Sequence, residues 1–178
     1  MMIRTRRLTL RPPFPEDWRE LHAAINDEGV VRMLASAPWP YLPEHARDWC
    51  AQPPNPREMR FVIALPGADG APIIGSIGIG AREAPTLGYW IARDHRRQGF
   101  ATEAIEAVLD CAATIGHRQV VAGHWLDNPA SGAVLARCGF VETGELRAEP
   151  CLGRGGVEVV ARRYACDLAA RRPMRAAA

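Results

Sequence analysis

The residues with the clearest chemical meaning lie between positions 88 and 104, which read Gly-Tyr-Trp-Ile-Ala-Arg-Asp-His-Arg-Arg-Gln-Gly-Phe-Ala-Thr-Glu-Ala. A predicted strand leads here into a turn and then into a strongly patterned helix. The unpaired N–H groups at a helix start, with the positive end of the helix dipole, form an anion site. Gly99 permits close approach of the backbone, Ala101 leaves room for a phosphate, and Arg96 and Arg97 add charge. The segment therefore predicts a phosphate-binding loop.

The same loop has a plainer interpretation, in which Arg96 and Arg97 form a solvated pair beside an ordinary turn. The loop matches the pattern Arg or Gln, two residues, Gly, one residue, and then Gly or Ala. This pattern is weak evidence by itself, because it arises by chance in chains of this composition. Its position at a strand–turn–helix junction favours the phosphate role. A dinucleotide-binding fingerprint is excluded, since only one of its three glycines is present.

Composition excludes several classes of enzyme. The 178-residue chain has 22 basic residues, every one an arginine, and it contains no lysine. Schiff-base enzymes, P-loop nucleotide hydrolases and protein kinases all need a lysine at a defined position, so these classes are excluded. The formal net charge is only +2, and we expect no nucleic-acid partner.

The remaining composition favours a cytoplasmic protein without a metal. No stretch approaches 18 apolar residues, so no membrane partner is expected, and the basic residues 1–13 lack the apolar run of a signal peptide. The five cysteines are odd in number, widely spaced and without a C-x-x-C pair, which indicates reduced thiols. His117 and His124 have no ligand partners at metal-binding spacing.

The elements that must position the loop form a mixed α+β pattern in the order β-α-α-β-β-β-α-β-α-β-β. Predicted strands cover Ile3–Arg11, Phe61–Leu65, Ile73–Ile79, Thr86–Ala92, Arg118–Trp125, Phe140–Leu146 and Val157–Cys166, with a hairpin connection at 66–70. Predicted helices open at Pro15-Glu16-Asp17, run from Glu44 to Cys50 and from Ala101 to Thr114, and extend from Asn128-Pro129 to Gly139. We expect one domain over 1–170 and a disordered tail over 171–178.

Four blocks in this order resemble the GCN-five-related N-acetyltransferase (GNAT) family, in particular the RimJ/RimL-like branch that acetylates the N-termini of ribosomal proteins. The blocks are residues 5–12 with 15–17, 88–91 with 97–104, 128–131 through 137–140, and 144–149. The resemblance implies the GNAT fold, a mixed central sheet flanked by helices. In that fold the two central parallel strands, here Thr86–Ala92 and Arg118–Trp125, splay apart.

The resemblance also implies acetyl-CoA as co-substrate. Its pyrophosphate would lie on the N–H groups of Arg97–Thr102, and its pantetheine arm would pair with the backbone of Tyr89–Ala92. Asn128 would bind that arm, a role that is compatible with a plain N-cap. The implied cofactor residues are Tyr89, Trp90, Ile91, Ala92, Arg96, Arg97, Gln98, Gly99, Phe100, Ala101, Thr102, Asn128 and Ser131.

Two residues acquire catalytic roles from the resemblance. Many members protonate the leaving thiolate with a tyrosine of the second cofactor helix, but no tyrosine lies between residues 126 and 163. The ribosomal branch places a serine there, which matches Ser131, and a glutamate base, which matches Glu149. A capping hydroxyl for Ser131 and a solvated surface carboxylate for Glu149 are the alternatives. Glu158 is a second carboxylate near the last strand.

The acceptor side is the least diagnostic part. Trp39 and Tyr41 are expected to bind substrate, with core packing as the equal alternative. Thr86 stands where the branch usually has a glutamate, and Glu83 lies on the preceding loop. The favoured reaction is acetylation of a protein N-terminal α-amine, with a small amine or amino acid, or a non-catalytic acyl-CoA-binding module, as alternatives.

Two further expectations concern the surface. The Arg6-Arg7 and Arg162-Arg163 pairs are predicted to be solvated, and the protein is expected to be a monomer or a homodimer.

Overall fold

The computed structural model describes residues 1–67, 71–81 and 84–170, so the predicted tail at 171–178, most of the 66–70 connection and Glu83 lie outside the described residues. The helices are α1 (Trp18–Ile25), α2 (Glu28–Val31), α3 (Pro43–Ala51), α4 (Phe100–Thr114) and α5 (Pro129–Arg137). The strands are β1 (Ile3–Arg4), β2 (Thr9–Arg11), β3 (Met59–Ala64), β4 (Ile73–Ala81), β5 (Pro85–Ile91), β6 (Gln119–Trp125), β7 (Val141–Cys151) and β8 (Val157–Asp167).

These strands form one sheet in the order β1-β2-β3-β4-β5-β6-β8-β7. Every neighbouring pair is antiparallel except β5 and β6, which run parallel and pair at Thr86 and Val121 alone. Beyond that point the two strands separate. The mixed α+β sheet with splayed central strands is therefore confirmed.

Buried apolar side chains form two large core clusters, one on each face of the sheet, and the helices pack in one cluster or the other. One core cluster holds the buried face of α4 and Leu135 of α5, and Tyr89 packs against it. A second cluster holds Leu21 of α1, Val30 of α2 and Cys50 of α3, while Trp90 packs against this one. Consecutive residues of a strand point to opposite faces, so β5 sends one aromatic side chain into each layer.

The predicted strand Ile3–Arg11 is wrong, because the chain folds back on itself within it. β1 and β2 pair as an antiparallel hairpin, with Ile3 opposite Leu10. Thr5 closes the turn: its N–H donates to Leu8 O at 2.9 Å, and its hydroxyl oxygen accepts from Leu8 N at 2.9 Å. Glu103 then binds the turn from outside, which local alternation could not indicate.

Two other differences bear on the site. The short helix α2 was not predicted; Asp27 caps it by accepting from Val30 N at 3.0 Å. β7 continues to Cys151 instead of ending at Leu146, because its pairing with β8 resumes at Leu146 after an irregularity that follows Glu142. Glu149 therefore lies within a paired strand.

Candidate functional site

A cleft of about 1120 Å³ opens where β5 and β6 separate. Its walls come from both layers and include Tyr89 of β5, Ser131 of α5, Glu149 of β7 and Asp48 of α3. Such a volume accommodates a large ligand together with a second reactant. The splay of the two strands is therefore what creates the candidate site.

The backbone of β5 has one edge bonded and one edge facing this cleft. Ala92 N donates to Ile74 O of β4 at 2.8 Å. Because hydrogen bonding alternates along an antiparallel pair, Tyr89 and Ile91 direct their backbone groups to the opposite side. The Arg96 guanidinium confirms this direction, since its Nε donates to Ile91 O at 3.1 Å. Among the predicted pantetheine-pairing residues, Tyr89 and Ile91 face the cleft, whereas Ala92 is bonded to β4.

The predicted phosphate loop forms a tight turn before α4. Arg97 and Gly99 have φ angles of 63° and 81°, and Gly99 is the N-cap of the helix. Positive φ suits glycine and is uncommon for arginine. Thr102 Oγ1 and His95 Nδ1 are buried and lack hydrogen-bond partners among the described residues. An anion at this helix N-terminus would satisfy such groups, so the loop fits a phosphate ligand.

The Arg96 side chain is already engaged in hydrogen bonds within the protein, which limits its freedom to bind a phosphate. Besides Ile91 O, its guanidinium reaches Gly29 O, with Nη2 at 3.4 Å. The side chain thus joins the end of β5 to the start of α2. Its charge lies beside the loop, and two of its donor groups are already used.

The N-terminal hairpin clamps this loop through Glu103. The carboxylate accepts from the Thr5 hydroxyl at 2.6 Å, from Arg7 N at 2.8 Å and from Arg7 Nε at 2.7 Å. Arg7 Nη1 also donates to Gln98 O at 2.9 Å, and the guanidinium lies 4.5 Å from the Phe100 ring centroid. Arg7 is therefore a structural partner of the loop as well as a partly solvated residue.

These contacts determine the ionisation of Glu103. Burial by itself would raise the pKa of this carboxyl, but the hydrogen bonds from Thr5 and Arg7 and the positive charge of Arg7 lower it overall. The clamp is thus strongest when Glu103 is ionised.

The start of α5 brings Asn128 and Ser131 together. The Asn128 side chain caps the helix by accepting from Ser131 N at 3.4 Å, and Pro129 is the first helical residue. The Ser131 hydroxyl lies 2.8 Å from the Tyr89 hydroxyl. Sequence reasoning missed this second contact, because the two residues are 42 positions apart. A tyrosine hydroxyl therefore does reach α5, but this tyrosine lies on β5.

Glu149 is held by two arginines on the wall of the cleft. Its Oε1 lies 3.4 Å from Arg163 Nη1 and 3.8 Å from Arg147 Nε, and its side chain is 20% exposed. The Arg163 side chain is 18% exposed and lines the cleft, so its prediction as a solvated residue is wrong. Its burial follows from its position on β8 opposite Gly123, which has no side chain to exclude it.

The two aromatic residues predicted to bind the acceptor lie in different surroundings. Tyr41 is buried, lines the cleft and packs in the second core cluster between His22 and His45. Burial, followed by the charges of Cys50 and Asp48, raises the pKa of Tyr41 to about 12. Trp39 is 37% exposed and does not appear on the cleft wall.

The Thr86 hydroxyl, which stands in the glutamate position, donates to Ala84 O at 2.8 Å. The described part of the chain holds no group of three or more His, Cys, Asp or Glu side chains arranged for a metal ion. Across residues 1–67, 71–81 and 84–170, every helix is too short or too polar to span a bilayer.

Comparison with known proteins agrees with this geometry. Residues 7–141 match the sequence model of a family described as the acetyltransferase (GNAT) domain. An uncharacterized N-acetyltransferase, YoaA of Bacillus subtilis (strain 168), is 27% identical over 154 residues, which are 82% of this chain and 86% of that protein. The ribosomal-protein-serine acetyltransferase of Escherichia coli (strain K12) is 36% identical over 62 residues, 34% of this chain and 35% of the relative.

A solved structure has the same fold. The spermidine N-acetyltransferase of Vibrio cholerae, in complex with CoA and spermine, superposes with a TM-score of 0.75. The match covers 93% of this chain and 98% of that one, at 23% identity. At that identity the likeness extends to the fold and no further.

Proposed function

The chain belongs to the GNAT acetyltransferase family and is an acetyl-CoA-dependent N-acetyltransferase, and from this premise we propose that its acceptor is the α-amine of a protein N-terminus. The observation that carries the proposal is the cleft, whose walls include both Ser131 and Glu149. Transfer to an amine needs a proton acceptor for nitrogen and a proton donor for sulfur, and these two side chains supply one of each.

Acetyl-CoA would be held by the groups that the protein leaves unsatisfied. The N–H groups of residues 97–102 and the Thr102 hydroxyl would bind the pyrophosphate at the start of α4. The backbone groups of Tyr89 and the N–H of Ile91, on the edge of β5 that faces the cleft, would pair with the pantetheine arm, whereas Ile91 O already accepts from Arg96 Nε. Asn128 would contact the same arm while its side chain continues to cap α5.

Ser131 and Glu149 would then each transfer one proton. Bound acetyl-CoA supplies an activated acyl group: the amine nitrogen bonds to the acetyl carbon, the carbon–sulfur bond breaks, and its electron pair leaves on sulfur. Glu149 takes the proton that the nitrogen sheds and later releases it to solvent. The Ser131 hydroxyl gives a proton to sulfur and regains one from water.

An α-amine is the acceptor that makes the smallest demand on Glu149, which shares the cleft wall with Asp48 and Glu58. The pKa of an α-amine is about 7.7–8.0, so a substantial fraction is neutral at pH 7, whereas a lysine amine near 10.4 is almost wholly protonated. The similarity to a ribosomal-protein-serine acetyltransferase supports the RimJ/RimL-like branch and a protein acceptor. Such an acceptor also fits the cytoplasm as the place of action.

Two alternative functions differ in the side chains that they require in the cleft. A small amine or amino acid needs the same chemistry, and the shared fold of a spermidine acetyltransferase keeps it as the second candidate. A non-catalytic acyl-CoA-binding module would need neither a hydroxyl at 131 nor a carboxylate at 149. Both groups line the cleft here, which favours catalysis.

The test measures thiol release from acetyl-CoA with three acceptors at pH 7. These are a peptide with a free N-terminus and no lysine, the same peptide N-terminally blocked with one lysine added, and spermidine. We expect kcat/KM for the free α-amine to exceed that for the lysine peptide by about 10²-fold, the difference in neutral amine. Faster turnover of spermidine would favour the small-amine alternative, and no release with any acceptor would favour a binding module.

A further inference from the structure

The contact between Tyr89 and Ser131 crosses the opening of the cleft. Tyr89 lies on β5 three residues beyond Thr86, where β5 and β6 are paired, and its side chain points toward the layer of α4 and α5. Its hydroxyl lies 2.8 Å from Ser131 Oγ and 3.5 Å from Ser131 O. We propose that Tyr89 is a positioning residue, whose hydroxyl donates to Ser131 Oγ and leaves the serine proton directed into the cleft.

The direction of this hydrogen bond follows from the two hydroxyl groups. Each has one proton to donate, and each oxygen can accept. A phenol is the stronger acid of the two and therefore the better donor, while the alkyl oxygen of serine is the better acceptor. With Tyr89 donating, the Ser131 proton is free to point toward a second acceptor. Without Tyr89, the serine hydroxyl could rotate toward the backbone of its own helix, as serines near a helix start commonly do.

The surroundings keep Tyr89 in its protonated form. Burial raises the pKa of Tyr89 to about 12, against a smaller lowering by its hydrogen bond to Ser131. A protonated phenol at 2.8 Å from Ser131 Oγ can donate its proton to that hydrogen bond. In this arrangement Tyr89 acts through Ser131.

This inference rests on the role proposed for Ser131, and a double-mutant cycle separates the two. Tyr89→Phe, Ser131→Ala and the double variant are compared in kcat, in KM for acetyl-CoA and in thermal unfolding. We expect Ser131→Ala to lower kcat by about 10²–10⁴-fold, the usual loss for a general acid. Tyr89→Phe should lower kcat by about 3–10-fold, the scale of one hydrogen bond. It should leave KM for acetyl-CoA nearly unchanged.

The decisive comparison is Tyr89→Phe in the Ser131→Ala background. If Tyr89 works through Ser131, the second substitution costs nothing further. An equal loss in both backgrounds, or no loss in either, overturns the inference while leaving Ser131 as the acid. Full activity of Ser131→Ala overturns the role of Ser131 itself, and with it any action of Tyr89 through that residue.

Tyr164→Phe serves as the matched control. Tyr164 is also buried, and its hydroxyl bonds Glu142 at 3.1 Å and His124 at 3.2 Å. Removing that hydroxyl should lower the unfolding temperature to a similar degree and leave kcat intact. Equal losses of kcat in Tyr89→Phe and Tyr164→Phe would indicate a general structural effect and overturn the inference.

Discussion

Glu149 is anchored in a way that suits a proton acceptor. Both of its arginine neighbours, Arg163 and Arg147, approach the same oxygen, Oε1. The two arginines therefore orient the carboxylate on the cleft wall.

We predict that Glu149→Gln lowers kcat at pH 7 by about 10²-fold, the lower end for loss of a general base. The deficit should shrink as the pH rises above 8, because hydroxide in the solvent then increasingly takes the proton that Glu149 would accept. A pH series of initial rates with a free N-terminal peptide measures this. Glu145→Gln, at an exposed position on the same strand, is the control and should match wild type. A deficit that stays constant from pH 7 to 9.5 would remove Glu149 as the base.

At this scale the sequence proposed candidate catalytic residues but could not indicate which side chains contact them. Ser131 and Glu149 were assigned by resemblance, and both lie on the cleft wall. The Tyr89 contact joins residues 42 positions apart, and the burial of Arg163 depends on Gly123 of another strand. Contacts of this kind arise from the order of strands in the sheet, which alternation along one strand does not specify.

Helix α4 carries the proposed phosphate loop at one end and an ordinary terminus at the other. Gly99 precedes the helix with φ 81°, and Gly116 follows it with φ 98°. A side chain at either position is strained by the backbone angle, so both substitutions should destabilise the fold to a comparable extent. The two glycines differ only in what they face, which makes them a matched pair.

We predict that Gly99→Val weakens CoA binding at least about tenfold, because a branched side chain crowds the turn where the phosphates would bind. Gly116→Val should keep wild-type affinity at a similar loss of unfolding temperature. Calorimetric titration with CoA, on folded protein, gives both affinities. Unchanged affinity in Gly99→Val would show that this loop does not hold the pyrophosphate.

The hairpin of β1 and β2 adds a pH-dependent contribution to the same element. The pKa of Glu103 is lower in the folded protein than its ordinary 4.5. A carboxyl with a lowered folded pKa stabilises the fold fully above its unfolded value, and this contribution is lost as the pH falls through the folded value. The clamp should therefore hold at neutral pH and weaken in acid.

We predict that Glu103→Gln lowers the unfolding temperature at pH 7 and that the difference from wild type shrinks below pH 4. The physical reason is that protonation of Glu103 is increasingly favoured as the pH falls from its unfolded pKa toward its lower folded pKa, and a protonated Glu103 no longer pairs with Arg7 as an ion. Thermal unfolding between pH 3 and 8 measures the difference, with Glu145→Gln as the exposed control. A difference that is the same at pH 3 and pH 7 would contradict the linkage.

The predicted elements failed where distant residues decide the local structure. Alternation from Ile3 to Arg11 favoured one strand, yet Glu103 binds Thr5 and Arg7 and helps hold a turn between them. Helix α4 was predicted almost to its bounds, because its apolar spacing and terminal glycines are local signals. Local patterns thus gave the long elements, and tertiary contacts determined the N-terminal hairpin.

At the scale of the whole molecule, the connection between β7 and β8 holds together two parts of the chain that are distant in sequence. This connection, residues 151–156, is called the latch. Leu152 N donates to Ala35 O at 2.9 Å, and Cys151 Sγ lies 3.3 Å from Leu34 O. Gly153 packs so closely that a Cβ there would lie 2.1 Å from Val31 O. The strand that carries Glu149 is thereby fixed to the segment 31–35, of which residues 33–35 line the cleft.

Arg154 is the central residue of this latch. Its Nε donates to Arg32 O at 2.9 Å and its Nη2 to Asp127 at 2.8 Å, and its side chain is 17% exposed. It thus ties the segment after α2 to the turn that precedes α5. Loss of these bonds should loosen the acceptor wall and leave the phosphate loop, at the start of α4, in place.

We therefore predict that Arg154→Ala raises KM for the acceptor by about 3–10-fold, the scale of one or two hydrogen bonds, while KM for acetyl-CoA rises less, because the start of α4 stays in place and Asn128 still caps α5. Steady-state kinetics with each substrate varied in turn gives both constants. Arg162→Ala is the matched control, because that arginine pairs with Glu142 at 2.6 Å between half-exposed side chains, and it should change neither constant. An equal rise of both constants in Arg154→Ala would contradict this assignment, because a contact that serves mainly the acceptor wall cannot weaken the binding of both substrates to the same extent.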